Sequence, residues 1–202
     1  MSKRPTVLLD VDGVIANFLG ATLNRLNAAG KEVPYTEENW PSWDIAKTIP
    51  QHKDFLHKIW SSKYFCTGIP PYNGAVEGVL NLTSVADVYF VTAPAWYSEY
   101  WMDERYCWLE YHFKHKIPIK DRLIFTRAKH LVQGDIFVDD NYKHVMDHPN
   151  SQTMDKFSLL WSRPYNKFHQ TYCPVVRNWD ELYSYAKTMR SPSFPVASEW
   201  DY

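Results

Sequence analysis

Val7-Leu8-Leu9-Asp10-Val11-Asp12-Gly13-Val14 decides how the rest of the chain is read. Thr6 to Leu9 is β-branched and apolar, and the run stops at two aspartates and a glycine. A short apolar run bounded by turn residues predicts a buried strand that ends in a turn. Aspartate and glycine favour turns in any protein. The stretch therefore gains meaning only from the strands and polar residues further along the chain.

Ile15 to Ala28 carries apolar residues at 15, 16, 18, 19, 23 and 26, which predicts a helix with Gly30 as its stop. Residues 31–73 are broken by Pro34, Pro41, Pro50, Pro70 and Pro71, and only 52–60 predicts a further helix. Regular order then returns. Helices are expected over Ala75–Leu82, Tyr97–Phe113 and Trp179–Met189, and strands over Asp87–Thr92, Leu123–Phe125, Ile136–Val138 and Phe157–Trp161. Strands alternating with helices argue an α/β fold with a parallel sheet. The expected division is a core of residues 1–16 and 74–190, a small, mostly helical cap over 17–73, and an extended tail over 191–202.

The chain has 202 residues, enough for one medium core carrying a small insertion. A net charge of −1 gives no field to gather a nucleic acid polymer, so a small ligand is expected. The cysteines at 66, 107 and 173 are odd in number and form no CxxC pair, which fits reduced thiols in a cytoplasm. No apolar run approaches the ~20 residues of a membrane span. His112 and His115 lack an acidic or cysteine partner and read as a solvated face rather than a zinc site. Aromatic residues make up 16% of the chain, and they are the material for a ring-lined pocket that takes a flat ligand.

In a parallel α/β sheet, ligands bind outside the carboxyl ends of the strands. Four expected strand ends carry polar groups suited to one phosphate site: Asp10 with Asp12, Thr92, Arg127 with Lys129, and Asp139 with Asp140. A carboxylate can attack phosphorus and hold it as an acyl phosphate, and Asp10 is the candidate. Its charge would repel a dianionic ester, so Mg²⁺ is expected between them. Asp10, the backbone carbonyl of Asp12, and one or both of Asp139 and Asp140 are its candidate ligands. Asp12 can protonate the leaving oxygen and later activate water. Thr92, neighbouring backbone N–H groups and Lys129 can hold the phosphoryl oxygens.

These residues resemble the four motifs of the haloacid dehalogenase superfamily, and the resemblance runs over roughly residues 5–161. Dehalogenases lack the second aspartate, so Asp12 points to phosphate chemistry. The segment Leu9 to Phe18, the run Phe125-Thr126-Arg127-Ala128-Lys129 and the run Gly134 to Asp140 resemble one branch, the 5′(3′)-deoxyribonucleotidases. Asn17 stands where that branch usually has Asp. Ala93 stands where it has Ser, leaving the phosphate to Thr92 and backbone N–H groups. The resemblance implies a Rossmann-like core with a helical cap after the first strand, Mg²⁺ as cofactor, and Asp140 as a metal ligand. It implies base contacts from Phe18 and, by looser position in the cap, Trp43 and Trp60. The expected function is Mg²⁺-dependent hydrolysis of (deoxy)ribonucleoside monophosphates through an aspartyl phosphate. The alternatives are a phosphatase of another small ester and a non-catalytic binding protein, against which the presence of both Asp10 and Asp12 argues. The expected partner is a small-molecule nucleotide, with neither nucleic acid polymer nor membrane, and a homodimer stays open.

Overall fold

A computed structural model describes residues 4–190; the tail expected over 191–202 lies outside them. Six strands form one parallel sheet: β1 (Thr6–Leu9), β2 (Asp87–Thr92), β3 (Leu123–Phe125), β4 (Ile136–Asp139), β5 (Phe157–Trp161) and β6 (Val175–Val176). Their order across the sheet is β3-β2-β1-β4-β5-β6. The chain builds outward from β1 to β3, then returns to the other side of β1 for β4. That reversal makes a crevice at the carboxyl end of β1, the usual place for a ligand in such a sheet.

The α-helices are α1 (Phe18–Ala28), α2 (Ile45–Thr48), α3 (Lys53–Trp60), α4 (Ala75–Leu82), α5 (Trp101–Phe113), α6 (Ile119–Arg122), α7 (Tyr142–Asp147) and α8 (Trp179–Arg190). Alternate residues of the central strands feed two apolar clusters. Val7, Leu9, Phe90, Ile136 and Val138 belong to the larger one, which continues through α4, α5 and α8 and into the cap. Leu8, Val91 and Phe137 form the smaller one, covered by Ile124 and Val132. Burial on both faces explains why β1 and β4 read as unbroken apolar runs rather than alternating ones. Gly78 on α4 lets the Trp179 ring of α8 lie against the helix backbone, where a Cβ would collide with that ring.

Two expected helices begin later than their periodicity suggests. The first starts at Phe18 rather than Ile15, because Val11 to Ala16 fold into tight turns, with Ile15 and Ala16 N–H both donating to the Val11 carbonyl. Asn17 caps the helix, its side-chain oxygen accepting from Gly20 N–H at 2.9 Å. The second starts at Trp101 rather than Tyr97, since residues 93–100 form a loop after β2. The short elements α2, α6, α7 and β6 are not expected from the sequence pattern.

The insertion leaves and returns through a narrow neck. Asn17 N–H donates to the Pro70 carbonyl and Tyr72 N–H to the Ile15 carbonyl, each at 2.8 Å, around an antiparallel bridge between Ala16 and Pro71. Between those points lie α1, α2 and α3, with Trp40, Ile49, Leu56 and Phe65 buried inside.

Candidate active site

The register of the sheet places the acidic residues. Leu9 pairs with Val138, so Asp10 and Asp139 stand side by side one residue further on. Asp10 N–H donates to the Val138 carbonyl at 2.9 Å, which carries the strand geometry up to the carboxylate itself. Asp10 Oδ1 accepts from Val11 N–H at 2.7 Å and faces Lys129 Nζ at 2.8 Å. Lys129 follows β3 at the start of a short 3₁₀ turn and is buried, so all of its charge is directed inward. It also donates to Asp139 Oδ2 at 2.7 Å. That oxygen lies 3.0 Å from His144 Nδ1, while Asp139 Oδ1 accepts from Asn141 N–H at 2.8 Å. Thr92, the last residue of β2, is buried at the same end of the sheet.

Asp140 is held differently. Tyr165 donates its hydroxyl to Asp140 Oδ2 at 2.5 Å, and Asn166 Nδ2 donates to the Asp140 carbonyl at 2.9 Å. Gly13 adopts φ +79° directly opposite. A Cβ there would collide with the Asp140 carboxyl and the Tyr165 hydroxyl, so the turn after Asp12 requires glycine on two counts. Asp12 forms an ion pair through Oδ1 with Arg105 Nη2 of α5 at 2.5 Å.

Burial is the largest influence on these carboxyls, and it raises them. For Asp10, Lys129 opposes the rise and Asp139 adds to it, and the carboxyl stays above its ordinary range. Asp140 is pushed well above that range by burial and by the charges of Asp139 and Asp10. For Asp139, Lys129 and His144 outweigh burial and hold the carboxyl low. Lys129 is itself kept protonated: burial works against its charge, but Asp10 and Asp139 more than compensate.

A divalent cation fits this donor set. Asp10, Asp139 and Asp140 each offer a carboxylate oxygen, and these oxygens lie within 4.8 Å of one another. Hard oxygen donors suit Mg²⁺. Crowded, buried carboxylates that raise one another are the arrangement a cation relieves. Both oxygens of Asp139 already accept hydrogen bonds, which leaves Asp10 and Asp140 as the better-placed ligands.

Above these groups opens a cavity of about 470 Å³. Asp10, Asp12, Thr92, Ala93, Arg127, Lys129 and Asp140 line its floor, and Phe18, Trp43 and Trp60 line its cap side. Of the residues singled out from the sequence, Asp139 alone is not on the wall; it lies behind Lys129. The three cap rings differ. Trp43 is 49% exposed and meets His144 edge-on at 6.1 Å, so cap and core touch across the mouth. Trp60 is buried and donates its indole N–H to Thr22 Oγ1 at 3.1 Å. Phe18 packs at 5.4 Å from Trp60 and 5.9 Å from Trp101.

Sequence reasoning misses Arg105, Tyr165, His144 and two further wall residues, Trp40 and Trp101. Trp40 and Trp101 are buried, and neither indole N–H has a partner among the described residues. Only α5 carries a signal: Trp101, Arg105 and Trp108 recur at i, i+4 and i+7, placing a cation within an aromatic stripe. Tyr165 and His144 carry none, because each reaches the site from an irregular or short element.

The fold defines the class first. A haloacid dehalogenase-like family hydrolase from Streptococcus pneumoniae superposes with a TM-score of 0.59, covering 92% of this chain and 99% of that one at 9% identity. At that identity the likeness is one of fold. The family follows from the sequence: the family model described as 5′ nucleotidase, deoxy (pyrimidine), cytosolic type C protein matches residues 4–190, and the chain belongs to that family. It is 31% identical over 146 residues to the mitochondrial 5′(3′)-deoxyribonucleotidase of Mus musculus, covering 69% of this chain. It is 32% identical over 141 residues to the mitochondrial 5′(3′)-deoxyribonucleotidase of Homo sapiens, covering 66% of this chain. The matched regions span 66% and 61% of those two proteins. Among the described residues, no helix is long and apolar enough to cross a membrane.

Proposed function

We propose that the protein hydrolyses (deoxy)nucleoside monophosphates to nucleoside and phosphate, with Asp10 as nucleophile and Mg²⁺ as cofactor. The observation that carries this reading is the pairing of Asp10 with Lys129 at 2.8 Å beneath a cavity that Asp12 also lines. Asp10 and Asp140 side chains, with the Asp12 carbonyl, would hold the Mg²⁺. When bound, the ion supplies positive charge to a phosphoryl group that the carboxylates would otherwise repel.

The protein's own groups carry the two steps. An Asp10 oxygen forms a bond to phosphorus as the ester P–O bond breaks, and Asp12 gives its proton to the departing nucleoside oxygen. Water then attacks the phosphorus of the aspartyl phosphate, Asp12 takes the water proton, and the Asp10 O–P bond breaks to release phosphate. Lys129, fixed by Asp10 and Asp139, offsets the charge on the phosphoryl oxygens, and Thr92 with the N–H groups beside Ala93 holds them. Arg127, exposed at the rim of the cavity, meets the phosphate on entry. The aromatic cap takes the base, which favours nucleotides over small phosphates.

Phosphate release from a panel of deoxy- and ribonucleoside monophosphates, measured with and without Mg²⁺, tests the reading. Mg²⁺-dependent release is expected. No release from any of them, or equal release in a metal chelator, sinks it.

A further inference from the structure

Arg105 belongs to none of the expected strand-end motifs, and its surroundings are unusual. Its side chain is fully buried on α5. The guanidinium lies 5.2 Å from the Trp101 ring centre and 5.4 Å from that of Trp108. Its Nη2 donates to Asp12 Oδ1 at 2.5 Å, while Nε and Nη1 are buried with no partner among the described residues.

As a stabilising device this is a poor arrangement. A buried guanidinium that leaves two of its nitrogens unsatisfied costs more than an apolar side chain of the same shape would. Nor can Arg105 bind substrate, because it stands behind Asp12 and away from the cavity wall. What it does reach is one oxygen of the residue assigned to proton transfer. With Oδ1 tied to Nη2, Asp12 has its other oxygen left for the cavity, and its rotation is fixed from behind. The neighbouring residue, Glu104, accepts from the N–H groups of Cys66 at 2.9 Å and Thr67 at 3.3 Å, so α5 is anchored on the cap's return segment where it carries Arg105.

We propose that Arg105 is a positioning residue that orients Asp12 to protonate the leaving oxygen in the first half-reaction. The inference rests on the phosphatase reading above. Unlike a purely structural role, it requires that the loss in an Arg105 variant depend on how much the leaving group needs a proton. A nucleoside oxygen needs one, whereas p-nitrophenolate leaves as a stable anion.

The test is single-turnover release of the leaving group with enzyme in excess, comparing a deoxynucleoside monophosphate with p-nitrophenyl phosphate. In Arg105→Met, nucleoside release is expected to slow by about 100-fold, the lower end of what general acid catalysis contributes, with nitrophenolate release nearly unchanged. The ratio of the two rates, taken on one sample, does not depend on how much of the variant is folded. Asp12→Asn should show the same selective loss, and adding Arg105→Met to it should slow nucleoside release no further. Equal slowing on both esters, or a further selective loss in the double variant, overturns the inference while leaving the phosphatase reading intact. A native protein that cleaves neither ester overturns the phosphatase reading, and this inference falls with it.

Discussion

The floor and the roof of the cavity are built on opposite plans. On the floor, Asp10, Asp12, Lys129 and Asp140, with Asp139 behind them, are each held by a polar partner at 2.5–2.9 Å, and most are buried. On the roof the material is aromatic, two indole N–H groups have no partner among the described residues, and Trp43 keeps half its surface open. The difference is what the proposed hydrolysis would require of each. Charge that develops at phosphorus needs donors already in place, since reorienting them would cost energy at the moment of reaction. A flat ring needs only surface, and stacking tolerates variation in what is stacked.

Asp10→Asn breaks the floor most severely. Turnover should fall by more than about 10,000-fold, as removal of a covalent nucleophile does. The fold should survive in this variant, which a far-UV circular dichroism spectrum matching that of the native protein checks. Substantial activity in this variant rules out the covalent route.

The roof should respond in binding rather than in chemistry, and unequally among its rings. Trp43→Ala removes an open stacking face, which is worth about 1–3 kcal/mol per base and should appear in KM for nucleotides but not for p-nitrophenyl phosphate. Trp60→Phe removes a hydrogen bond to Thr22 and should cost about 1 kcal/mol of stability with little change in KM. If Trp60→Phe raises KM and Trp43→Ala does not, the two rings have been assigned the wrong way round.

The smallest effect lies beneath the floor. His148 stacks on Phe137 with centroids 4.2 Å apart, donates from Nε2 to the Val132 carbonyl and accepts at Nδ1 from Asn150 N–H. Burial lowers its tendency to take a second proton. Its contribution to stability is thus present above the ordinary histidine range of about 6.5 and lost as the pH falls below it, because the unfolded chain binds the proton more readily. Lowering the pH from about 7 to 5 should move the thermal midpoint of the native protein downward relative to that of His148→Gln. An unchanged difference between the two assigns the effect to another group.

Legibility in the sequence divides along the same line. Asp10, Thr92, Lys129 and Asp140 announce themselves because each closely follows an apolar run, and a parallel sheet gathers its carboxyl ends at one edge. The strands longer than β6 are legible for the same reason, being largely apolar runs bounded by polar or turn residues. Arg105 and Tyr165 are not, because their meaning lies in partners 93 and 25 residues away. Ile15 misleads because Val14, Ile15 and Ala16 are apolar for a different purpose, to be buried where the chain enters the cap. Two-residue β6 is too short to show a period at all. The cap's tryptophans cannot be ranked from sequence, since burial and exposure of a ring are set by the whole insertion and not by its neighbours along the chain.

The neck at Ala16 and Pro71 has a consequence for engineering. The insertion departs and returns through adjacent, hydrogen-bonded positions, so its two ends are held side by side in the folded protein. Loop-closure cost grows only slowly with the length of chain between fixed ends. The segment between these two positions can therefore be treated as a cassette: recognition elements of other lengths can be grafted there without displacing a single strand end. A graft must rebuild the apolar cluster that joins the insertion to α5, where Phe18 and Phe65 pack on Trp101 and Trp108 Nε1 donates to the Ile69 carbonyl, as well as the backbone N–H groups that Glu104 collects from the return segment.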